Sequence, residues 1–246
     1  MLIHLECGSY YYDRVQIIMN KKKKSILCIV AHPDDEALGL GGTIIKHIEH
    51  GHNVQIIILS VGEEAKLDAD KDPSRREQSA YAWSKSVGSE VLKIFDYADQ
   101  RLDTIPKLEI IQELEKIIKI IKPDIIYTHH DGDINHDHQV VSHAVLTACR
   151  PMNSLGIKAE IRTFETISST EQAPYSDRYI FKPNYYVDVE NVWDKKISSL
   201  KAYNNEMGIY PHPRSMESIE ALAIKRGSEA GLKKAEAFCI LKKIWK

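Results

Sequence analysis

Apolar and polar residues occur along the chain in blocks that predict strands followed by helices. Residues 25–31 (SILCIVA) are a continuous apolar run, which is typical of a strand buried on both faces of a parallel sheet, and residues 54–61 (VQIIILSV) predict a second buried strand. Residues 108–121 place isoleucine and leucine at helical spacing among lysine and glutamate, and Pro123 follows them. The repeated order of strand and helix predicts an α/β fold with a doubly wound, mostly parallel sheet and helices on both faces.

The same reasoning divides the rest of the chain. Further strands are predicted over 91–96, 124–128, 161–167 and 185–189, and further helices over 36–50, 73–87, 138–149, 193–206 and 215–232. Residues 168–183 are rich in turn formers and predict a surface loop. The sequence has neither an internal repeat nor a Pro/Gly/Ser linker, so residues 19–246 are predicted to form a single domain. Residues 1–18 precede Met19 and a lysine run, and we interpret them as a possible N-terminal extension.

Composition excludes several classes of protein. The 246 residues include 33 Lys+Arg and 35 Asp+Glu, a net charge of −2, so neither a basic nucleic-acid surface nor a disordered acidic chain is expected. The four cysteines are far apart, which favours free thiols in a reducing compartment. The sequence has no apolar run of about 18 residues and no signal-peptide pattern at its start. A cytoplasmic protein without a membrane span is therefore expected.

Polar residues follow four of the predicted strands, and histidine is prominent among them. The clusters are residues 31–36 (AHPDDE), 62–64, 97–103 and 129–138. The carboxyl ends of parallel strands meet at one edge of a sheet, so these clusters are expected to converge there. Five of the 11 histidines lie within 15 residues, and they are His129, His130, His136, His138 and His143. Because histidine is the commonest metal-ligand side chain, this density indicates a metal site.

Asp35 lies three positions after His32, so a tight strand-to-helix turn can direct both side chains at one point. Imidazole and carboxylate are ligands suited to zinc, and a catalytic zinc keeps three protein ligands and one position for water. The loop after the 124–128 strand would supply the third ligand. The acidic residues 34–36 have a second interpretation, as a cap that stabilises the positive end of the following helix.

Two motifs resemble the PIG-L/LmbE-like zinc-dependent N-deacetylases, in particular a bacterial branch of that family. Residues 31–36 followed by 39–42 (GLGG) are similar to the family's signature, and residues 131–138 (DGDINHDH) are similar to its second motif. The resemblance implies a Rossmann-like fold and removal of an N-acetyl group from an N-acetylglucosamine-type amino sugar or its conjugate. It also implies one Zn²⁺ per chain, bound by His32, Asp35 and His138, with Asp34 as the general base.

The sequence departs from the family at one catalytic position. Many members have a histidine three residues before the metal histidine, where it stabilises the oxyanion, and this chain has Asn135 there. An asparagine can donate a hydrogen bond to an oxyanion, but it cannot transfer a proton. Either Asn135 takes this role alone, or His129, His130 or His212 substitutes for the missing histidine. The neighbouring Asp137 is expected either to orient a metal-binding imidazole or to cap the following helix.

Substrate contacts are expected from arginines. The resemblance places an arginine near the start of the 73–87 helix facing the substrate, and Arg76 fits that position best. The rigid segment 211–215 (PHPRS) offers His212 and Arg214 as a substrate clamp. The resemblance extends to residues 99–104, 226–227 and 235–238, and the last two are expected near the active site or a subunit contact. It also implies a homo-oligomer, either a trimer or a hexamer.

Two other functions compete with deacetylation. A catalytically silent Rossmann-like module that binds a carbohydrate or nucleotide would keep the scaffold, and the Asn135 departure supports it. A metal-dependent phosphoesterase would favour two metals, and the sequence supplies too few acidic residues at the strand ends for that. His47, His50 and His52 lie at the negative end of the first helix, where a structural role is expected. The glycines of residues 39–42 lack a phosphate-loop spacing and predict close packing.

Overall fold

A computed structural model of the protein describes residues 23–61, 73–151 and 157–244. The possible extension over residues 1–18 and the polar cluster at residues 62–64 lie outside these ranges. The helices of the described residues are all too short or too polar to cross a membrane. Cys28, Cys149 and Cys239 are free thiols, as expected from their spacing.

Seven strands of the described chain form one sheet. They are β1 (Ser25–Val30), β2 (Asn53–Ser60), β3 (Glu90–Tyr97), β4 (Ile125–His129), β5 (Glu160–Phe164), β6 (Tyr185–Asp188) and β7 (Ala235–Lys242). Their order in the sheet is β3-β2-β1-β4-β5-β7-β6. The first five strands pair in parallel, while β7 pairs antiparallel with both β5 and β6. The strand order reverses between β1 and β4, because β2 and β3 extend the sheet on one side and β5 extends it on the other.

Helices cover both faces of the sheet, as the unbroken apolar strands predict. Along β1, Ile26, Cys28 and Val30 belong to one apolar core, whereas Leu27 and Ile29 belong to the other. This alternation follows from the two-residue period of a strand. The helices are α1 (Asp35–Glu49), α2 (Pro73–Val87), α3 (Lys107–Ile121), α4 (His136–Ala148), α5 (Trp193–Ser199) and α6 (Met216–Glu229). Buried residues of α1, α2, α5 and α6 belong to the first core, and those of α3 and α4 belong to the second.

The structure confirms the mostly parallel α/β fold and corrects three details of it. The predicted 193–206 helix is α5 followed by a 3₁₀ helix over Leu200–Glu206, which is kinked at Tyr203. The predicted 161–167 strand ends at Phe164, because the chain turns at Thr166 to meet Thr170. Strand β7 was not predicted, although its first residues resemble a family segment. Its apolar run is short and only its first four residues are buried, so its pattern gave a weak signal.

Candidate active site

Three of the four predicted polar clusters, residues 31–36, 97–103 and 129–138, meet at the carboxyl ends of β1 and β4, where the strand order reverses. A cavity of about 730 Å³ opens there. Ligands of doubly wound sheets bind at such switch points, because the loops diverge and leave a crevice. Among the residues predicted for the site, the cavity lining contains His32, Asp34, Arg76, Asn135, His138, His212 and Arg214.

The three predicted metal ligands lie together. His32, Asp35 and His138 are buried, and each offers a ligand atom within 4.8 Å of the other two. Asp35 lies between the imidazoles: its Oδ2 is 3.5 Å from His32 Nδ1, and its Oδ1 is 3.4 Å from His138 Nε2. The turn after β1 fixes this carboxylate, because Asp35 Oδ2 also accepts the backbone N–H of His32 at 2.9 Å.

Asp137 holds the opposite side of the His32 ring. His32 Nε2 lies 3.0 Å from Asp137 Oδ2 and 3.2 Å from Asp99 Oδ1. Asp137 is fully buried, and its two oxygens also accept the backbone N–H groups of Gln100 and Leu102, each at 2.9 Å. The helix cap is Asn135, whose Oδ1 accepts the N–H of Asp137 at 2.9 Å. Asp137 therefore contacts the His32 imidazole, and the cap of the following helix is Asn135 instead of Asp137.

His138 is oriented by a second carboxylate, that of Asp133. Asp133 Oδ2 lies 3.2 Å from His138 Nδ1 and accepts the Thr170 hydroxyl at 2.6 Å, while Asp133 Oδ1 accepts the Ser169 hydroxyl. His129 stacks on His138 with ring centroids 3.9 Å apart. Because Nδ1 of His138 faces Asp133, the nitrogen that faces Asp35 is Nε2.

Carboxylates dominate the electrostatics of this cluster. Burial lowers the pKa of His138, but Asp35 and Asp133 outweigh it and raise this pKa to about 9. Burial raises the pKa of Asp35, and His138 and His129 outweigh it, so that this pKa lies well below its usual range. At His129 the carboxylates of Asp35 and Asp133 do not outweigh burial and the neighbouring His138, so that its pKa is lowered to about 4.

Asp34 has one oxygen held by two arginines and one without a partner. It adopts a left-handed backbone conformation (φ 113°) at the turn into α1. Its Oδ2 accepts a hydrogen bond from Arg76 Nη2 at 2.9 Å and another from Arg214 Nη1 at 2.8 Å. Its Oδ1 is buried and has no hydrogen-bond partner among the described residues. Burial raises the pKa of Asp34, and the two guanidinium groups oppose this effect.

Both predicted arginines thus contact the predicted base as well as lining the cavity. Arg76 also donates to the Pro33 carbonyl at 2.9 Å, and Arg214 Nε donates to Ser168 Oγ at 2.8 Å. Glu206 lies 3.5 Å from Arg76 and 3.8 Å from Arg214. The sequence predicted these arginines as substrate contacts, and their interaction with Asp34 is an additional finding.

Comparisons with known proteins fit this geometry. The model of the PIG-L family, described as GlcNAc-PI de-N-acetylase, matches residues 27–149. The chain is 30% identical over 199 residues to the uncharacterised deacetylase YaiS of Escherichia coli K12, covering 78% of this chain and 97% of the relative. The chain belongs to the PIG-L family. The expected family and fold are therefore confirmed.

Two further relatives show the range of this PIG-L fold. The chain is 26% identical over 231 residues to the 4-oxalmesaconate hydratase of Pseudomonas putida KT2440, covering 88% of this chain and 85% of that one. The N,N'-diacetylchitobiose deacetylase of Pyrococcus horikoshii superposes with a TM-score of 0.73 at 20% identity, covering 98% of this chain and 95% of that one. One PIG-L scaffold therefore carries relatives named for two different reactions.

The other clustered histidines of this PIG-L chain lie outside the cavity lining. His129 is behind Asp35, where its Nε2 accepts the backbone N–H of Ala31 at 2.9 Å. His130 contacts the Tyr179 carbonyl at 3.0 Å. His136 and His143 are exposed. Of the three candidates to replace the family's missing histidine, the lining therefore contains only His212, beside Asn135 itself.

Sequence reasoning missed Asp99, Asp133 and Glu206 as individual site residues. Asp99 and Asp133 lie within two of the polar clusters predicted at the strand ends, residues 97–103 and 129–138. Their position in those clusters was the signal that could have identified them. Glu206 ends a 3₁₀ helix, outside the predicted motifs, and its residue type and position gave no signal. Among the described residues, His32, Asp99 and Asp137 form a second group able to hold a metal. Both groups depend on the His32 ring, and Asp137 already accepts two backbone N–H groups.

The residues present fit a single zinc ion. Two imidazoles and one carboxylate are the donor types of a catalytic zinc site, and the three donors leave one side open to the cavity. Both imidazoles contact carboxylates through their remaining nitrogens, the arrangement that orients metal-binding histidines.

Proposed function

We propose that this protein is a metal-dependent N-deacetylase that hydrolyses the N-acetyl group of an N-acetylglucosamine-type amino sugar or its conjugate. One observation carries the proposal: His32, Asp35 and His138 converge beside the buried carboxylate of Asp34 at the cavity. Family membership supports it, as does the fold shared with a deacetylase of an N-acetylated sugar. Zinc is the proposed metal, with His32, Asp35 and His138 as its ligands.

Asp34 is the proposed general base and acid. When bound, zinc would acidify a water molecule and polarise the acetyl carbonyl. Asp34 Oδ1 has no partner among the described residues, so it can accept the proton of the attacking water. As the C–N bond breaks, Asp34 returns that proton to the departing amine, and acetate is the second product. Arg76 and Arg214 hold Oδ2 and thereby direct the lone pairs of Oδ1 towards this task.

Asn135 is the proposed donor to the oxyanion. Its Oδ1 caps α4, which fixes the orientation of the amide because only the oxygen can accept the N–H of Asp137. The amide NH₂ is then the end available to the cavity that Asn135 lines. A fixed N–H donor stabilises negative charge on the attacked carbonyl without reorganisation. His212 is half of the proposed substrate clamp, since it lines the same cavity and accepts the N–H of Arg214 at 3.0 Å.

Hydration of a carboxylate substrate is the second candidate, because a relative that matches most of this chain is named for such a reaction. A carboxylate substrate needs cationic partners. Among the described residues that line the cavity, the arginines are Arg76 and Arg214, and both contact Asp34. Because the carboxylate of Asp34 already pairs with both guanidinium groups, the cavity favours a substrate without a carboxylate. A silent binding module is disfavoured because it needs neither an open metal site nor a buried carboxylate beside it.

A paired assay separates these candidates. The zinc-loaded protein is incubated with N-acetylglucosamine, N,N'-diacetylchitobiose, N-acetylglucosaminyl conjugates and 4-oxalmesaconate, and products are followed by mass spectrometry. We expect acetate release and a mass loss of one acetyl group from at least one amino sugar. Addition of water to 4-oxalmesaconate alone would replace the deacetylase proposal with a hydratase. If none of the compounds changes and the protein retains no zinc after loading, the binding module is supported.

Three further proposals rest on the sequence. Residues 19–246 form one deacetylase domain, the protein works in the cytoplasm, and it assembles as a trimer or hexamer. Light scattering of the purified chain measures the assembly directly, and a monomeric mass would overturn that part.

A further inference from the structure

Helix α1 is broken one turn after the metal-site aspartate. Leu40 has non-helical backbone angles (φ −145°, ψ 22°) inside the helix. In an unbroken helix, the N–H of Gly42 pairs with the carbonyl of Leu38. Here each of these groups has a partner from outside the helix. Gly42 N–H donates to Glu236 Oε1 at 2.8 Å, and the Leu38 carbonyl accepts Lys196 Nζ at 3.1 Å.

Lys196 and Glu236 are themselves an ion pair, with Nζ and Oε1 2.7 Å apart. The side chains are only 4% and 5% exposed, so the pair is inserted between the two halves of α1 rather than lying on its surface. The other oxygen of Glu236 accepts the N–H of Thr43 at 2.7 Å. A carboxylate that accepts two adjacent N–H groups caps the second half of the helix and is stabilised by its positive end.

The glycine-rich segment makes room for this arrangement. A Cβ on Gly42 would lie 3.0 Å from Glu236 Oε1 and 2.8 Å from Val189 Cγ1. A Cβ on Gly39 would overlap the ring of Phe164. The glycines therefore let the carboxylate and the end of β5 approach the backbone of α1. This explains residues 39–42 without a phosphate-binding role.

We propose that Lys196 and Glu236 are positioning residues for the metal site. Their ion pair fixes the angle between the two halves of α1, and the first half carries Asp35 to a point between His32 and His138. The inference rests on the proposed function, because it assigns the ion pair a role in metal binding. It also assigns a purpose to β7, which supplies Glu236 from a strand three positions from β1 in the sheet.

Three variants test this role: Glu236→Gln, Lys196→Met and the double variant. Zn²⁺ affinity of the full-length chain is measured by competition with a chromophoric chelator, and thermal unfolding is measured on the metal-free protein. We expect Glu236→Gln to weaken Zn²⁺ binding by about 10–100-fold, the usual effect of losing a residue that orients ligands. Glu236→Gln also leaves the Lys196 ammonium buried and unpaired, which lowers the unfolding temperature.

The double variant separates positioning from stability. Removing the unpaired ammonium should restore much of the unfolding temperature, whereas Zn²⁺ affinity should stay weak, since Gly42 and Thr43 still lack their carboxylate. Glu160→Gln is the matched control, because it breaks the Arg162–Glu160 pair at the other end of the strands. At that distance the control should keep Zn²⁺ affinity within about twofold. Wild-type affinity in a folded double variant would overturn the proposal.

Crystal structures of the metal-free wild type and the double variant provide a readout that does not depend on zinc. The separation of Asp35 Oδ1 and His138 Nε2, now 3.4 Å, should increase in the variant as α1 straightens. An unchanged separation and an unchanged break at Leu40 would also overturn the proposal. If the wild type binds no Zn²⁺, the proposed function fails, and these structures still decide whether the ion pair positions Asp35.

Discussion

The two ends of α1 each lie in a cluster of histidines, and the clusters have opposite electrostatics. At the first end, Asp35 lies within 3.5 Å of both His32 and His138. At the other end, His47 Nε2 is 2.9 Å from the Tyr127 hydroxyl, and His47 Nδ1 is 2.8 Å from His52 Nδ1. The Tyr127 hydroxyl in turn accepts Arg162 Nη1 at 2.7 Å. Carboxylates thus contact the imidazoles of the first cluster, whereas a hydroxyl and a second imidazole contact His47 at the other end.

The difference shows why histidine density alone does not define a metal site. Burial lowers the pKa of His47 to about 3, and His52 and Arg162 add to the effect. Burial also lowers the pKa of His138, but there the carboxylates of Asp35 and Asp133 reverse it. A metal cation needs neighbouring negative charge to repay its dehydration. Among the described residues, both groups that could hold a metal contain His32, and neither contains His47.

The comparison predicts its largest effect for metal content. His138→Gln removes a proposed ligand, so zinc measured by plasma mass spectrometry should fall from about one per chain to near zero. His47→Gln is the matched variant at the other end of α1, and it should keep the full zinc content. Zinc retained by His138→Gln and lost by His47→Gln would reverse the assignment of the two clusters. Chelation of the wild type should abolish acetate release, and added Zn²⁺ should restore it.

The next effect concerns Asp34, which lies beside the ligands without being one. Asp34→Asn should lower kcat by roughly 10²–10⁴-fold, the usual contribution of general acid–base catalysis, while zinc stays bound. The control is Asp188→Asn, which changes a carboxylate at the far end of α1, where Asp188 Oδ1 accepts the N–H of Glu190. It should leave kcat unchanged. Wild-type turnover by Asp34→Asn would remove Asp34 from the proton-transfer role.

The local pattern of apolar and polar residues predicted the mostly parallel sheet, because buried parallel strands form distinct apolar runs in the sequence. The runs of β1 and β2 are apolar at every central position, and their polar termini face one edge of the sheet. Strand β7 escaped prediction for the opposite reason. Its pairing with β5 and β6 depends on contacts between residues far apart in sequence, such as Phe164 with Phe238. Hydropathy along β7 does not encode those contacts.

The structure brings together the residues that the motifs supplied, whereas sequence reasoning missed residues that act through other residues. His32, Asp35 and His138 lie where the motifs placed them. Glu206 contacts the two arginines of the site, and Glu236 contacts the backbone of α1. The positions of both glutamates follow from tertiary packing. The double contact of Asp34 with Arg76 and Arg214 likewise depends on two loops meeting, which sequence spacing does not predict.

A smaller effect is expected at the midpoint of α1, between the two clusters. Gly42→Ala places a Cβ 2.8 Å from Val189 Cγ1, and this overpacking should lower the free energy of unfolding by about 1–3 kcal/mol. Gly41→Ala is its neighbour-matched control, since its Cβ meets Trp83 at an ordinary 3.5 Å. That control should be neutral or stabilising by about 0.5–1 kcal/mol, because alanine favours the helix. Denaturant unfolding measures both, and equal destabilisation would show that the Glu236 side of α1 is no tighter than the Trp83 side.

The smallest effect is a pH dependence that belongs to the His47 end of α1. The pKa of His47 is about 3 in the folded protein and near its usual 6.5 when unfolded, so between these values the unfolded state binds more protons. Stability contributed by the neutral ring is therefore complete above pH 6.5 and is lost as the pH falls towards 3. Between pH 6.5 and 5, this group should remove about 1–2 kcal/mol from the free energy of unfolding. His47→Gln should remove that part of the pH dependence, whereas His143→Gln, at an exposed position, should retain it. Equal pH dependence in the wild type and His47→Gln would mean that the His47 end of α1 is hydrated enough to accept a proton, and the electrostatic contrast between the two clusters would not hold.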